Sequence, residues 1–204
     1  MLLDFSQTDA GTAYQWLIAT VTPRPIAWVS TLSANGISNL APFSFFQVVT
    51  GTPPTLMISP LIQDDGRVKD TVLNIQATGE FVVNLVPFAM AQAMNATSSP
   101  FPHGESEFER CGIPSLTSTR VQPPRVAGVP VSFECRLAAV HPYPAERPSC
   151  HLILGEVLVA HVDEAILNEA GRVDPDRIDL LGRMGGRWYS RTQSGSNFEL
   201  TRPQ

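Results

Sequence analysis

The segment Thr22–Phe46, which reads TPRPIAWVSTLSANGISNLAPFSFF, constrains the fold of this chain more than any other. Ile26–Leu32 is apolar and rich in strand-forming residues, and the Asn-Gly step in Ser33–Gly36 is a strong turn signal. Ser38–Val49 returns as a second strand, and we expect a break at Pro42 because proline cannot donate to a central ladder. The pattern predicts a β-hairpin early in the chain.

The same segment holds more polar and conformationally restricted residues than a core hairpin needs. Pro23 and Pro25 keep the backbone around Arg24 extended, which leaves its polar groups free for a planar ligand. Strand side chains alternate between faces, so the phenylalanines at 43, 45 and 46 cannot all face one core. Short hydrogen-bonding side chains are present at Ser30, Thr31, Asn39 and Ser44. The segment predicts a ligand-binding wall or a dimer interface, and the two are compatible.

Strand signals dominate the rest of the chain, and its 18 prolines disfavour a helical bundle. Further strands are expected at Thr55–Ser59, Glu80–Val86, Val131–His141, Leu152–Asp163 and Gly186–Ser190. Short helices are expected at Thr71–Thr78, capped by Asp70 and ended by Gly79, at Phe88–Ala96, and from Asp174-Pro175. The prediction is a mainly β protein, either a barrel or a sandwich, with a few short helices on its rim.

Composition excludes several classes of function. The 204 residues carry a formal net charge of −5, so we expect no broad cationic surface for nucleic acid or an anionic membrane. No apolar run approaches the roughly 20 residues that a membrane span needs, and MLLDFSQTDA does not resemble a signal peptide. These features predict a cytoplasmic protein. We expect a single domain over residues 1–204, with 1–20 as an N-terminal arm and 191–204 as a tail.

The cysteines and histidines do not predict a metal site. The three cysteines, at 111, 135 and 150, form no CxxC pair, and the four histidines show neither HxH nor HExxH spacing. We therefore expect reduced thiols and no bound metal.

Lys69 is the one lysine among 14 basic residues, and it directly precedes a predicted helix. The start of a helix presents unpaired N–H groups and the positive end of the helix dipole. Together with the Lys69 ammonium and the Thr71 hydroxyl, these groups would form a phosphate site. The alternative is a capped surface helix that follows a solvated lysine.

Several blocks follow one another in a fixed order from about Thr20 to Ser190. They are Pro23–Phe46, Pro53–Met57, Lys69–Ile75, Glu80–Leu85, Met94–Ser98, Val131–Cys135, Leu154–Val157 and Arg183–Ser190. In this order, the blocks resemble the flavin reductase-like, FMN-binding split-barrel family.

The resemblance implies a split β-barrel that binds FMN non-covalently at or near a homodimer interface. By position, Lys69, Asp70 and Thr71 would lie near the ribityl phosphate. The residues that would line the flavin are Arg24, Ser30, Thr31, Asn39, Leu40, Ala41, Pro42, Phe43, Ser44 and Phe45. The expected activity is hydride transfer from NAD(P)H to flavin, with a two-component monooxygenase as a possible partner.

Three further residues are candidates for the substrate side of the site. His151 is the family's histidine before the LxLGEV strand, although Ser149-Cys150 stands where many members carry Gly-Asp. Arg187 and Tyr189 would share one strand face and contact the flavin edge or a substrate. Each of the three also has a structural interpretation: a satisfied histidine, a solvated arginine and a packed tyrosine.

Two other functions are compatible with the sequence. An FMN-binding electron-transfer protein that turns over NAD(P)H inefficiently would fit the altered step before His151. A non-enzymatic β-barrel binding module would take up no FMN at all.

Overall fold

The structure is a computed structural model, and it describes residues 1–203. Helices occur at α1 (Ala10–Thr20), α2 (Asp70–Thr78), α3 (Ala91–Ala96) and α4 (Glu107–Arg110), with 3-10 turns at Phe5–Gln7, Phe88–Met90 and Glu164–Ile166. The first six strands are β1 (Arg24–Pro25), β2 (Ala27–Leu32), β3 (Ser38–Phe43), β4 (Phe46–Gly51), β5 (Pro54–Ile58) and β6 (Glu80–Leu85). The last six are β7 (Ser115–Leu116), β8 (Arg125–Val126), β9 (Val131–Tyr143), β10 (Cys150–Val162), β11 (Leu181–Arg183) and β12 (Tyr189–Arg191).

Seven strands form one antiparallel sheet in the order β3-β2-β6-β9-β10-β5-β4. Its two edge strands, β3 and β4, are consecutive in the chain, and only Ser44 and Phe45 separate them. Three peptide steps reach about 11 Å at most, whereas six strand spacings in a flat sheet would measure about 29 Å. The sheet must therefore curl until its edges approach, which makes it an open, or split, β-barrel. The strands β1-β11-β12 and β7-β8 form two small additional sheets.

The barrel has a core on each side of its wall, because side chains alternate along β2. Ala27 and Val29 point into the barrel, and Trp28 points outward. The inner core contains Ala27, Val29, Phe43, Phe46, Leu56, Ile58, Val72, Ile75, Phe81, Val83, Cys135 and Ile153. The outer core contains Ile26, Trp28, Leu40, Val86, Met94, Phe108, Ile113, Val126 and Leu181. The outer core joins α3 and α4 to the wall and fixes them beside β3.

The sequence-predicted strands are confirmed within a few residues, but the break expected at Pro42 is wrong. Pro42 lies inside β3 and is paired with Trp28. β3 is an edge strand, so a residue without an N–H is tolerated there. The interruption falls at Ser44 and Phe45, where the chain crosses from one sheet edge to the other.

Two helix predictions also differ from the structure. The segment after Asp174 is a turn, because the Asp174 carboxylate accepts the Asp176 N–H at 2.9 Å. Lys69 is the N-cap residue of α2, and Asp70 is the first helical residue. The Gly79 end is confirmed, with φ at 73°.

Gly155 in β10 faces the inner core, where there is no room for a side chain. A Cβ at this position would lie 2.2 Å from Cζ of the Phe81 ring. We expect Gly155→Ala to lower the free energy of unfolding by about 1–3 kcal/mol, because overpacking forces the buried ring to move. Gly51→Ala is the control, since its Cβ would meet nothing within 4 Å. Urea denaturation would compare the two, and equal stabilities would contradict the packing argument.

Candidate functional site

The N-terminus of α2 opens at the rim of the barrel. Val72 and Ile75 anchor this helix in the inner core, which fixes the position of its first turn. Within residues 1–203, the N–H groups of Asp70 and Thr71 donate to no partner. The helix therefore presents free donors and the positive end of its dipole, with Lys69 at the N-cap position.

A cleft of about 380 Å³ lies between this helix end, β3 and the segment 97–103; we call it the α2 cleft. It brings together seven of the residues that the sequence predicts to bind cofactor: Asn39, Ala41, Pro42, Phe43, Lys69, Asp70 and Thr71. Its other walls are Gln63, Arg67, Thr97, Ser98, Ser99, Pro100, Phe101, Pro102, His103 and Glu107. A cleft of this volume can hold a small molecule. Lys69 and the start of α2 suit an anionic group of that molecule, and the hydroxyl side chains of the lining suit its polar groups.

Asn39 provides a buried donor in the wall of this cleft. The side chain is 6% exposed, and its Nδ2 has no hydrogen-bond partner within residues 1–203. A buried donor without a partner costs about 1–3 kcal/mol. A ligand that accepts a hydrogen bond from Asn39 would remove this penalty.

The cations and anions around the α2 cleft are arranged unevenly. Arg67 is paired with Asp65 at 2.6 Å, and His103 Nδ1 lies 2.7 Å from Asp70 Oδ1. Within the described chain, Lys69 forms no ion pair. Lys69 is therefore the cation in this cleft that is available to an incoming anion.

Glu107 is the second carboxyl group in the α2 cleft. Burial raises the pKa of Glu107, although the Leu40 N–H donates to its Oε2 at 2.8 Å; the negative charge of Asp70 raises the pKa further. Glu107 therefore protonates at a higher pH than an exposed glutamate does.

Three residues that the sequence predicts to line the flavin lie inside the protein instead. Ser30, Thr31 and Leu40 are fully buried. The Ser30 hydroxyl donates to the Pro124 carbonyl, and Thr31 Oγ1 accepts from Asn74 Nδ2 at 3.0 Å. β2 is flanked by β3 and β6, so its backbone groups are already paired. These residues support the cleft wall from behind.

A second groove, of about 260 Å³, continues from the α2 cleft and shares Pro42 and Ser98 with it. We call it the arginine groove. It is lined by Tyr14, Ile18, Arg24, Ile26, Pro42, Ser44, Phe45, Met94, Asn95, Ser98, Arg183 and Tyr189. It gathers the remaining predicted wall residues Arg24, Ser44 and Phe45, together with Tyr189.

Arg24 is 8% exposed and connects the end of α1 to the β11–β12 turn. Its Nη1 donates to the carbonyls of Ile18 and Val21, and its Nη2 donates to the Met184 carbonyl at 3.2 Å. Its charge is thus held rigidly at the base of the arginine groove. The structure explains why this residue is an arginine, since only a guanidinium offers this many donors in a fixed plane.

The three residues predicted for the substrate side of the site do not share one cavity. Arg187 lines a third depression and not the arginine groove. Tyr189 lines both this depression and the arginine groove. His151 lines neither the α2 cleft nor the arginine groove. Its side chain is buried, with the residue 9% exposed, and its backbone N–H donates to the Pro60 carbonyl. Its Nδ1 has no partner within residues 1–203.

Sequence reasoning missed Arg183, Arg67 and the segment 97–103 as parts of the site. The segment is held in place by Thr97, whose Oγ1 accepts from Trp28 Nε1 at 2.9 Å and donates to the Met94 carbonyl at 2.8 Å. Two sequence signals were present: the Met94–Ser98 block overlaps the segment 97–103, and the Arg183–Ser190 block contains Arg183. Both carried the family resemblance without an assigned role for these residues.

The structure was also searched for membrane-spanning helices and for metal sites. None of the helices described by the structure is both long and apolar enough to cross a bilayer. Within residues 1–203, no group of three or more His, Cys, Asp or Glu side chains is arranged to hold a metal ion.

A split antiparallel barrel with a cleft at its rim defines the class as split-barrel proteins, and comparisons with known proteins give the family. The flavin reductase-like domain model matches residues 19–176. A protein of Aquifex aeolicus is 44% identical over 90% of this chain and 91% of its own length. The chain therefore belongs to the flavin reductase-like family, and this membership supports a flavin cofactor and an oxidoreductase activity.

Two solved structures are similar over nearly their whole length. Pseudomonas fluorescens 2-nitrobenzoate 2-nitroreductase NbaA is 30% identical, with a TM-score of 0.88 and coverage of 100% of this chain and 96% of that protein. Nitrilotriacetate monooxygenase component B from Bacillus cereus is 29% identical, with a TM-score of 0.91 and 98% coverage of each chain. A Shewanella frigidimarina protein with a split barrel domain is 19% identical, with a TM-score of 0.82 and coverage of 100% of this chain and 98% of that protein, and this likeness confirms the split-barrel fold.

Proposed function

We propose that the protein is an FMN-dependent oxidoreductase that transfers hydride from NAD(P)H to flavin. The observation that carries this proposal is the α2 cleft, which is lined by Lys69, by two helix N–H groups and by Asn39. Among the described residues, neither these N–H groups nor Asn39 Nδ2 has a hydrogen-bond partner. These donors fit the phosphate and the polar atoms of FMN. When bound, FMN would supply the hydride-accepting chemistry, so the protein needs no acid–base pair of its own.

The residues of the chain would divide the binding of FMN between them. Lys69, Asp70 and Thr71 would hold the phosphate through a charge-assisted contact and the helix N–H groups. The accessible part of the run Asn39–Phe45 would line the flavin, since it is shared between the α2 cleft and the arginine groove. Ser30, Thr31 and Leu40 would act through β3 and not by contact.

The likeness to a monooxygenase component B supports a role as the reductase of a two-component monooxygenase. We also propose a cytoplasmic homodimer. Exposed apolar side chains on β4 and α1 support the dimer, because such patches mark interaction surfaces; they are Val48, Val49, Tyr14, Trp16 and Leu17. Light scattering after size exclusion would give twice the chain mass of 22.2 kDa for a dimer and the chain mass itself for a monomer.

A second candidate function is electron transfer by bound FMN without efficient NAD(P)H turnover. The burial of His151 outside the α2 cleft and the arginine groove favours this candidate, because the histidine would then be absent from the nicotinamide side.

Absorbance spectroscopy separates these functions. Pure protein mixed with FMN and NADH or NADPH should consume the nicotinamide at 340 nm faster than a control without protein. A yellow protein that dithionite reduces readily but NAD(P)H reduces slowly would indicate the electron-transfer function. A colourless protein that takes up no FMN would leave only a binding module.

Lys69→Ala should weaken FMN binding by about tenfold, the equivalent of about 1.4 kcal/mol, because one contact to a charged group is lost. Riboflavin lacks the phosphate, so its affinity should change little. Arg172→Ala, an exposed cation outside the cleft, is the control for net charge. Quenching of flavin fluorescence would measure the affinities of the wild type and of both variants for both flavins, and equal losses for FMN and riboflavin in Lys69→Ala would show that Lys69 does not contact the phosphate.

A further inference from the structure

The chain is fixed to the barrel on both sides of the segment 97–103. At its start, Thr97 is buried and accepts the Trp28 Nε1–H at 2.9 Å. Just beyond its end, Ser106 is buried, and its hydroxyl oxygen lies 2.7 Å from that of Ser38 in β3. These contacts hold the two ends of the segment against the barrel wall.

The middle of the segment has few attachments. Residues 100–104 are exposed apart from Phe101, which is partly buried and belongs to neither core. Pro100 and Pro102 have no N–H to donate, and the Pro102 carbonyl accepts the Glu105 N–H at 3.2 Å within a local turn. Within residues 1–203, the backbone of residues 100–104 forms no hydrogen bond with a helix or strand. This part of the chain can therefore move while both ends stay in place.

One side-chain contact joins this middle part to α2. His103 Nδ1 lies 2.7 Å from Oδ1 of Asp70, the first residue of the helix. The side chain of His103 is 71% exposed and that of Asp70 is 33% exposed. Exposed ion pairs are weak, and the loss of one shifts an equilibrium by about fivefold at most. The contact therefore closes the segment onto α2 and is weak enough to open.

The His103–Asp70 contact lies between two cavities. One is the α2 cleft, and the other is a smaller cavity of about 160 Å³. Asn39, Asp70 and His103 line both of them. Separation of His103 from Asp70 would join the two cavities and widen the access to Lys69, which precedes Asp70 in the chain.

We infer that the segment 97–103 is a movable wall of the α2 cleft, held closed by the His103–Asp70 contact, and that its opening controls how fast a ligand enters and leaves. A ligand that passes only while the wall is open binds and dissociates more slowly by the same factor, so the contact changes the rates and not the affinity. The motion stands on the contacts of the segment, whereas FMN as the ligand rests on the proposed function. For FMN, the closed wall would lengthen the time that the flavin stays bound.

Chemical labelling of Lys69 tests the motion without any flavin. Lys69 is the one lysine of the chain and lines the α2 cleft, so a bulky amine-reactive ester reports how often the wall is open. His103→Ala should raise the labelling rate about three- to fivefold, measured by mass spectrometry relative to the amine of the exposed Met1. His141→Ala removes an exposed histidine outside the cleft and should have no effect. An unchanged rate in His103→Ala, or an equal rise in His141→Ala, would overturn the inference.

Asp70→Ala tests whether His103 acts through Asp70. Loss of the carboxylate also changes the surroundings of Lys69, so His103→Ala is compared with its parent in each background. It should accelerate the labelling of Lys69 about three- to fivefold in the wild type and leave it unchanged in Asp70→Ala, where the contact is already lost. Equal acceleration in both backgrounds would overturn the role of this contact in holding the wall closed.

Stopped-flow measurement of flavin fluorescence tests the effect on ligand exchange. In His103→Ala, the association and dissociation rate constants of FMN should both rise about three- to fivefold, with the dissociation constant unchanged. A rise in the dissociation rate alone, with an equal loss of affinity, would show that His103 contacts the ligand and would overturn the inference. Absence of FMN binding would contradict the proposed function, while the labelling of Lys69 would still decide whether the wall moves.

Discussion

Glu134→Gln is expected to lower the free energy of unfolding by about 3 kcal/mol, because a fully buried carboxylate that accepts hydrogen bonds from three donors loses one of its two acceptor oxygens. Its Oε1 accepts from the Thr119 N–H at 2.7 Å and lies 2.6 Å from His161 Nε2, and its Oε2 accepts from the Arg120 N–H at 2.6 Å. Glutamine has one acceptor oxygen, and its amide group would face an N–H. The loop that contains Thr119 would then lose its attachment to β9.

The pH dependence of this effect has a definite sign. Burial by itself would raise the pKa of Glu134, but the Thr119 N–H, His161 and the Arg120 N–H outweigh burial and hold the pKa below its ordinary value. Such a carboxylate stabilises the fold above its unfolded-state pKa of about 4.3, and this stabilisation is lost as the pH falls through the lower folded-state pKa. The difference between wild type and Glu134→Gln should therefore be full at neutral pH and shrink below about pH 4.

Glu80→Gln is the matched control, because Glu80 is partly exposed and accepts one backbone N–H, from Gln122 at 2.8 Å. Its loss should stay near 1 kcal/mol. Urea denaturation at neutral and acidic pH would measure both variants. A Glu134→Gln variant as stable as Glu80→Gln, or a stability gap that widens in acid, would contradict this explanation.

Trp28→Ala should reduce the stability by about 3–5 kcal/mol, since Trp28 is fully buried in the outer core. The substitution also removes the Nε1 donor that holds Thr97, so the segment 97–103 should become mobile. This segment is a wall of the α2 cleft, and FMN binding should therefore weaken in the fraction that stays folded.

Thr97→Val separates these two effects. It keeps the packing of Trp28 and removes the hydrogen bond, so the stability should fall by about 1–3 kcal/mol because the buried Trp28 N–H is left without a partner. FMN affinity should fall with it, as measured by fluorescence quenching on the folded variant. Unchanged FMN affinity in Thr97→Val would show that the segment 97–103 does not depend on this contact to form the cleft.

The hairpin and the end of α2 could be predicted because their signals are local. The Asn-Gly turn determines the pairing of β2 with β3, and Gly79 determines where α2 ends. The helix α1 was missed because its apolar side chains follow no buried face, and only Ile18 is buried. The family resemblance supplied the barrel, whereas its closure through Ser44 and Phe45 depends on the order of all seven strands.

The parts of the site that escaped prediction depend on contacts between distant residues. Nothing in the hairpin sequence indicates that β2 is a central strand, so the burial of Ser30 and Thr31 was not foreseen. Arg183 meets Arg24 only after the chain has built the whole barrel. The segment 97–103 reaches the cleft because Trp28, far away in sequence, holds Thr97.

Titration of FMN and riboflavin into the purified protein, followed by quenching of flavin fluorescence, tests whether the α2 cleft binds FMN through a phosphate site at Lys69 and the first turn of α2. We predict saturable binding of both flavins, with FMN bound at least tenfold more tightly than riboflavin. Equal affinities would contradict the phosphate site, and the absence of binding for both would contradict the flavin cleft itself.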